Sequence, residues 1–171
     1  MSQTSDFSLR PATVLDADRC WQILQQGKAQ MFREGKKQWT TTYPSRQSVE
    51  SDLEHGAAHV LERRGEVVAY GAVIFDGEPA YAQIEDRWLT HGDYVVIHRL
   101  AVADEAKRQG VAREYFNQVM HLAALRGVHS IKVDTNYDNF YMQHLLRSLG
   151  FTYCGDVIYP QGSRLAYEKV F

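Results

Sequence analysis

The sequence predicts one domain of mixed α/β class, extending over residues 1–171. A length of 171 residues with 44% hydrophobic and 23% charged residues is that of an ordinary globular domain with its own core. In some segments apolar and polar residues alternate, as in strands, and in the segments between them apolar residues recur at helical spacing. We find no internal repeat, low-complexity tract or long linker. We therefore expect one sheet flanked by helices, with a functional site near the middle of the sheet.

Composition narrows the classes of function. The formal net charge of −2 argues against binding to nucleic acid or to an anionic membrane. No apolar run approaches the roughly 18 residues that would span a bilayer, and the first residues do not resemble a secretory signal. Cys20 and Cys154 form neither a disulfide framework nor a zinc pattern, so we expect core thiols, no metal and a cytoplasmic location.

The first half of the chain is expected to form two strand regions and two helices. Residues 7–13 predict a strand and residues 16–32 a helix, with Asp16 as its N-cap. Ser45 is expected to cap a short helix after an aromatic-containing loop. Residues 59–64 and 67–75 predict a hairpin, and the second strand is apolar on both faces, as a central strand is.

The second half begins with a predicted strand over residues 94–102. A helix is predicted over 110–126, with an apolar face formed by Val111, Tyr115, Val119, Leu122 and Leu125. A strand over 129–135 and a helix over 139–150 should follow. The last twenty residues are expected to close the chain as an antiparallel pair.

The sequence "KRQGVA" at residues 107–112 lies where a strand ends and a helix begins. N–H groups in the first turn of a helix lack partners within the helix, and the helix dipole adds positive charge there, so the position favours an anion. Gly110 would allow a phosphate close to the backbone, and Lys107, Arg108 and Arg113 add charge. The motifs of P-loop and dinucleotide-binding proteins are absent. A loop with solvated charges stays an equal alternative on these six residues.

A second motif lies downstream of this loop. "KRQGVA", then a strand, then "NFYMQHLLRSLGF" resembles the GCN5-related N-acetyltransferase (GNAT) superfamily, with its [QR]-x-x-G-x-[GA] and N-x-x-A…Y-x-x-x-G-F segments. The resemblance covers essentially the whole chain, and "GKKQWTTTYPS" and "VIHRLAV" are similar to a bacterial branch. It implies a central, mostly antiparallel mixed sheet with a parallel, splayed pair at the acyl-CoA site, flanked by about four helices.

The resemblance also implies acetyl-CoA as acyl donor, a small-molecule amine as acceptor and, in many members, a homodimer. The residues it assigns to the cofactor are Leu100, Ala101, Val102, Lys107, Arg108, Gln109, Gly110, Val111, Ala112, Asn139 and Met142. Lys107 replaces the usual Gln or Arg but keeps a positive charge. Leu146 stands where many members have the tyrosine that protonates the leaving thiolate, and leucine has no proton to donate.

His98 is the candidate general base, because an imidazole with a pKa of about 6.5 suits removal of a proton from an amine. Some members of the superfamily have a histidine at this spacing in H-x-L-A-V. By alternation Val96, His98, Leu100 and Val102 should share one face, with His98 about 13 Å from the loop. A structural histidine is the alternative. Arg99 should face the other way and pair with Glu85 or Asp86.

Glu85 is the rival base, and it could instead bind a cationic substrate or be solvated. Trp39, Tyr43, Glu85 and Trp88 are expected to form the acceptor side, although aromatic residues in these segments could equally fill the core. The group that protonates the thiolate stays open among Tyr141, Tyr153, Tyr159, Tyr167, Cys154 and no dedicated acid. The alternatives to a small-molecule N-acetyltransferase are an acyl-CoA-binding module with little catalysis and an enzyme that acetylates proteins or peptides.

Overall fold

A computed structural model describes residues 6–171, which form a seven-stranded sheet and four α-helices. The strands are β1 (Phe7–Pro11), β2 (Ala58–Arg63), β3 (Glu66–Ile74), β4 (Val95–Val102), β5 (Ser130–Thr135), β6 (Thr152–Tyr159) and β7 (Gly162–Val170). The helices are α1 (Ala17–Arg33), α2 (Arg46–Glu54), α3 (Val111–Leu125) and α4 (Phe140–Ser148). A segment of 3-10 helix, Pro79–Arg87, precedes β4. The predicted helices and strands are therefore confirmed to within a few residues.

The strand order is β1-β2-β3-β4-β5-β7-β6, and neighbours are antiparallel except β4 and β5. In the described part of the chain these two parallel strands pair at Val95↔Ile131 and Val96↔Lys132 alone. From Ile97 onward they separate, so the backbone of β4 that faces β5 has no strand partner. This opening in the middle of the sheet is where the predicted site should lie.

A β-bulge interrupts β4 at the same level. Ala72 of β3 is opposite His98, whereas Tyr70 is opposite Ala101, so two residues of β4 occupy the space of one. Arg99, within the bulge, has a left-handed backbone with φ of 57°. Because paired residues share a face, His98 and Ala101 lie on one face and Val102 lies on the other. The predicted common face of His98 and Val102 is therefore wrong.

Helices cover both faces of the central strand β3. Tyr70 reaches Asp52 of α2, whereas the next residue, Gly71, lies under the ring of Tyr115 of α3. Successive residues of a strand point to opposite faces, so α2 and α3 lie on opposite sides of the sheet. The buried face of α3 includes Val111, Tyr115 and Val119 as predicted, but Leu125 is 74% exposed because the helix ends there.

Local signals account for most element boundaries. The β2–β3 turn has φ of 52° at Arg64 and 83° at Gly65, a pair of left-handed residues that suits a tight hairpin. Asp16 does not cap α1 through its side chain, since its carboxylate accepts hydrogen bonds from Thr13 N and from Arg10.

Both cysteines are buried and unpaired, as expected. Within residues 6–171 no helix is long and apolar enough to cross a membrane.

Candidate active site

The N-terminus of α3 opens onto free space. Gly110 precedes the helix with φ of 76°, and no side chain caps the first turn. A Cβ atom placed on Gly110 would meet no atom within 4 Å. Arg108 is also left-handed, with φ of 61°, so the loop curls just before the helix starts. The unpaired N–H groups of the first turn can therefore be reached by an anion.

A groove of about 540 Å³ extends from this helix end along β4 to α4. It brings together ten of the eleven residues expected to bind the cofactor: Leu100, Ala101, Val102, Lys107, Arg108, Gly110, Val111, Ala112, Asn139 and Met142. Gln109 is not among its lining residues. The Gln109 side chain instead accepts from Arg63 Nη1 at 2.6 Å and donates to the carbonyl of Glu105 at 3.1 Å.

A second cavity, of about 310 Å³, adjoins the groove, and we call it the acceptor cavity. The two share Met31, Trp39, Leu100, Asn139 and Met142 as lining residues, so they lie side by side. Asn139 accepts a hydrogen bond from Met142 N and thereby caps α4 at this junction. A molecule in the groove and one in the cavity would therefore meet beside β4.

His98 lines the acceptor cavity and is hydrogen-bonded to an acid that the sequence did not single out. Its Nε2 lies 3.0 Å from Oε2 of Glu78, and both side chains are about one fifth exposed. The bond to His98, together with one from Ala80 N, holds the pKa of Glu78 below its ordinary value. Glu78 therefore stays ionised at neutral pH and can orient the imidazole. Glu78 precedes Pro79 at the start of the 3-10 segment, the signature of a helix start rather than of a catalytic group.

Arg99 lines the acceptor cavity and forms a hydrogen-bonded network in its wall. Its Nε and Nη2 donate to the two oxygens of Asp52 at 3.0 and 2.5 Å, and its Nη1 donates to the hydroxyl of Tyr43 at 3.0 Å. The hydroxyl of Tyr70 donates to the same carboxylate. The expected pairing of Arg99 with Glu85 or Asp86 is therefore wrong. The bulge turns the arginine toward α2, which short-range alternation could not show.

Asp134 and Arg164 also line the acceptor cavity. Asp134, in β5, accepts hydrogen bonds from the hydroxyls of Tyr81 at 2.7 Å and Tyr159 at 2.9 Å. Burial, followed by the charge of Asp134, raises the pKa of both tyrosines. Arg164 belongs to β7. The sequence analysis named neither Asp134 nor Arg164, because neither belongs to a motif.

The four residues expected on the acceptor side separate into two pairs. Trp39 and Tyr43 line the acceptor cavity, and Trp39 also lines the groove. Glu85 is exposed on the 3-10 segment and lines neither space. Trp88 is a core residue whose Nε1 donates to the carbonyl of Tyr81 at 2.9 Å. The structure therefore does not bring Glu85 or Trp88 to His98.

The residues considered as proton donors to a leaving thiolate lie in different parts of the structure. Tyr141 lines the groove and Tyr159 lines the acceptor cavity. The others lie elsewhere: Tyr153 binds Asp156, while Tyr167 and Cys154 are buried. Leu146 is fully buried in the core.

Comparison with known proteins decides the family. The model of the acetyltransferase (GNAT) family matches residues 19–151. The chain belongs to this family. Its mixed sheet, with the parallel β4–β5 pair that separates beside the groove, is the GNAT fold that the sequence resemblance implied. No curated protein sequence matches the chain.

Solved structures of several bacterial proteins have a similar fold. A GNAT-family acetyltransferase from Streptococcus agalactiae is 29% identical, with a TM-score of 0.87 over 96% of this chain and 95% of that one. One from Listeria monocytogenes is 17% identical, with a TM-score of 0.77 over 96% and 95%. A Salmonella typhimurium protein solved with its cofactor acetyl-CoA is 14% identical, with a TM-score of 0.68 over 97% and 94%. The last two show likeness of fold alone.

Proposed function

We propose that this GNAT protein transfers the acetyl group of acetyl-CoA to the amine of a small, partly apolar acceptor, by direct attack while both molecules are bound. The observation that supports this most strongly is the His98–Glu78 pair in the wall of one of two adjoining spaces. One space has an open helix N-terminus, and the other is small and lined by aromatic and ionisable groups. The pair offers a base where the two ligands would meet.

The groove fits an acyl-CoA. Acetyl-CoA supplies an activated acyl group as a thioester. The first-turn N–H groups of α3, with Lys107, Arg108 and the open position at Gly110, would hold its pyrophosphate. Met142 and the N-cap residue Asn139 would lie against its extended arm. Backbone N–H groups of Leu100 and Val102, beyond the last β4–β5 pair, are the proposed donors to the thioester oxygen.

His98 is the proposed general base. Most alkyl amines are protonated at neutral pH, since their pKa resembles that of lysine, about 10.4. With Glu78 ionised, the tautomer that donates from Nε2 to Glu78 is favoured, and Nδ1 is then free to accept a proton from the amine. The carboxylate would then stabilise the imidazolium. Glu78, which acts through His98, is a positioning residue, and Glu85 has no part in this proposal.

Substitution of Gly110 tests the cofactor site. Acetyl-CoA should raise the melting temperature of the wild-type protein, because a ligand that binds the native state alone stabilises it. Gly110→Glu should abolish this rise by filling the space before α3 and adding like charge. Gly127→Glu is the matched control, since Gly127 also has a left-handed φ, 75°, and open surroundings but lies at the other end of α3. No rise at millimolar acetyl-CoA in the wild type would refute the cofactor assignment.

Substitution of His98 tests the base. With an amine panel and detection of the released thiol, His98→Ala should lower kcat by about 10²- to 10⁴-fold and leave the acetyl-CoA-induced rise in melting temperature intact. Glu78→Gln should lower kcat less. His121→Ala, an exposed histidine on α3, is the control. Equal turnover by wild type and His98→Ala across pH 6–9 would rule out His98. Binding of acetyl-CoA without turnover of any amine would instead favour an acyl-CoA-binding module.

A further inference from the structure

Arg164 is a cation of the acceptor cavity that no carboxylate neutralises within residues 6–171. Its guanidinium donates to three neutral oxygens: Asn136 Oδ1 at 3.3 Å, Ser163 O at 3.4 Å and Gln38 O at 3.4 Å. These distances are long even for neutral acceptors, since N–H···O hydrogen bonds typically span about 2.7–3.2 Å. Arg164 is half-buried and lines the cavity, and its guanidinium contacts Gln38, another lining residue, which places the charged end at the cavity wall.

The other arginine of the cavity wall differs in this respect. Arg99 donates from two nitrogens to Asp52, and its charge is compensated inside the protein. Arg164 forms no such ion pair in the described chain. A guanidinium held at a cavity wall in this way is suited to bind a carboxylate through two parallel hydrogen bonds.

The remaining charges of the wall are negative and belong to Glu78 and Asp134. Glu78 is bonded to His98, and Asp134 accepts from two tyrosine hydroxyls. The cavity therefore presents an anionic group beside the proposed base, a second carboxylate bonded to two tyrosines, and a cation at Arg164. This arrangement is complementary to a molecule with an ammonium group at one point and a carboxylate at another.

We infer that the acceptor is a free amino acid, whose carboxylate binds Arg164 while its amine lies beside His98. The inference rests on the proposed acetyl transfer and names the substrate class for the same site. A volume of about 310 Å³ suits a molecule of this size, and Met31, Ile97 and Phe116 give the cavity an apolar part. An apolar amino-acid side chain of moderate size would contact that part.

The test compares amino acids with amines that differ only in lacking the carboxylate. The probes are L-valine, L-methionine and L-phenylalanine, each paired with its decarboxylated amine. Acetylation is measured through thiol release, and binding is measured by calorimetry with saturating CoA, so that binding is read without turnover. Wild type, Arg164→Gln and Arg164→Lys are compared, with Arg147→Gln, an exposed arginine of α4, as control.

The wild type should bind and acetylate at least one amino acid better than its paired amine. Arg164→Gln should raise KM and Kd for that amino acid by about 10- to 100-fold, leave both constants for the paired amine unchanged, and leave acetyl-CoA binding unchanged. Arg164→Lys should recover part of the loss. If Arg164 merely held Gln38 and Asn136 in place, Arg164→Gln would affect amino acid and amine alike.

Three results would overturn the inference. They are a wild type that binds none of the three amino acids, a wild type that prefers the paired amines, and an equal effect of Arg164→Gln on both members of a pair. Turnover of amines without preference for a carboxylate would overturn it and leave the proposed acetyl transfer standing. Binding of an amino acid through Arg164 without turnover would support the carboxylate site but overturn the assignment of that amino acid as the acceptor.

Discussion

The buried pair of Asp52 and Arg99 makes a sharp prediction about stability. In Asp52→Asn the guanidinium would lose the two charge-assisted bonds that it makes at 3.0 and 2.5 Å, while its own charge stays buried. The two side chains are 7% and 15% exposed, so water compensates little. Removing one partner of a buried pair costs about 3–5 kcal/mol, and asparagine keeps one acceptor, so we expect about 3 kcal/mol. At this chain length the melting temperature should fall by about 6–12 °C.

Urea unfolding followed by circular dichroism at pH 7 measures this change, and a double-mutant cycle with Arg99→Met identifies its cause. Each single variant leaves one buried charge unpaired, whereas the double variant leaves none. The cost of the double variant should therefore be smaller than the sum of the single costs by about 2 kcal/mol. A loss below about 0.5 kcal/mol for Asp52→Asn, or additive single costs, would refute the argument that the pair is a buried and mutually dependent unit.

Two further substitutions, at Asp16 beside the edge strand β1 and at Gly71 in the central strand β3, test interactions that stabilise the fold. The hydrogen bond from Arg10 lowers the pKa of Asp16 to about 2, so the ionised carboxyl stabilises the fold above its unfolded pKa. Asp16→Asn should therefore lower the free energy of unfolding by about 1 kcal/mol at pH 7, and the difference from wild type should vanish as the pH of a urea titration falls from 4 to 2. Gly71→Ala should cost about 2 kcal/mol because its Cβ would lie 2.7 Å from the hydroxyl of Tyr115. Urea unfolding measures the loss, and a loss below about 0.5 kcal/mol would contradict the proposed clash.

Local sequence patterns predicted much of this fold because the relevant interactions are local. The periodicity of α3 and the left-handed turn at Gly65 depend on residues a few positions apart. The same holds for the groove, since residues 107–112 lie on one loop and the first turn of one helix. Family resemblance then added the acyl-CoA assignment, which the six residues alone left open.

The acceptor cavity was harder to predict because long-range contacts form it. Glu78 and Glu85 are acids of one short segment, and the path of the 3-10 helix decides which of them reaches His98. Asp52 contacts Arg99 from 47 residues away, through a bulge that breaks strand alternation. Arg164 enters from β7, near the end of the chain, with no motif around it. None of these contacts has a signature at short spacing.

The two spaces that meet at Trp39 are built by different parts of the chain, which has an evolutionary consequence. The groove is lined by the end of α1, β4, the loop after it and the start of α3, whereas the acceptor cavity also includes Tyr43, Glu78 and Arg164, which lie on three different segments and do not line the groove. Mutations in those three segments could therefore exchange one acceptor for another while the donor site is preserved. A lineage with this architecture can diversify its substrates without having to reinvent its acyl chemistry.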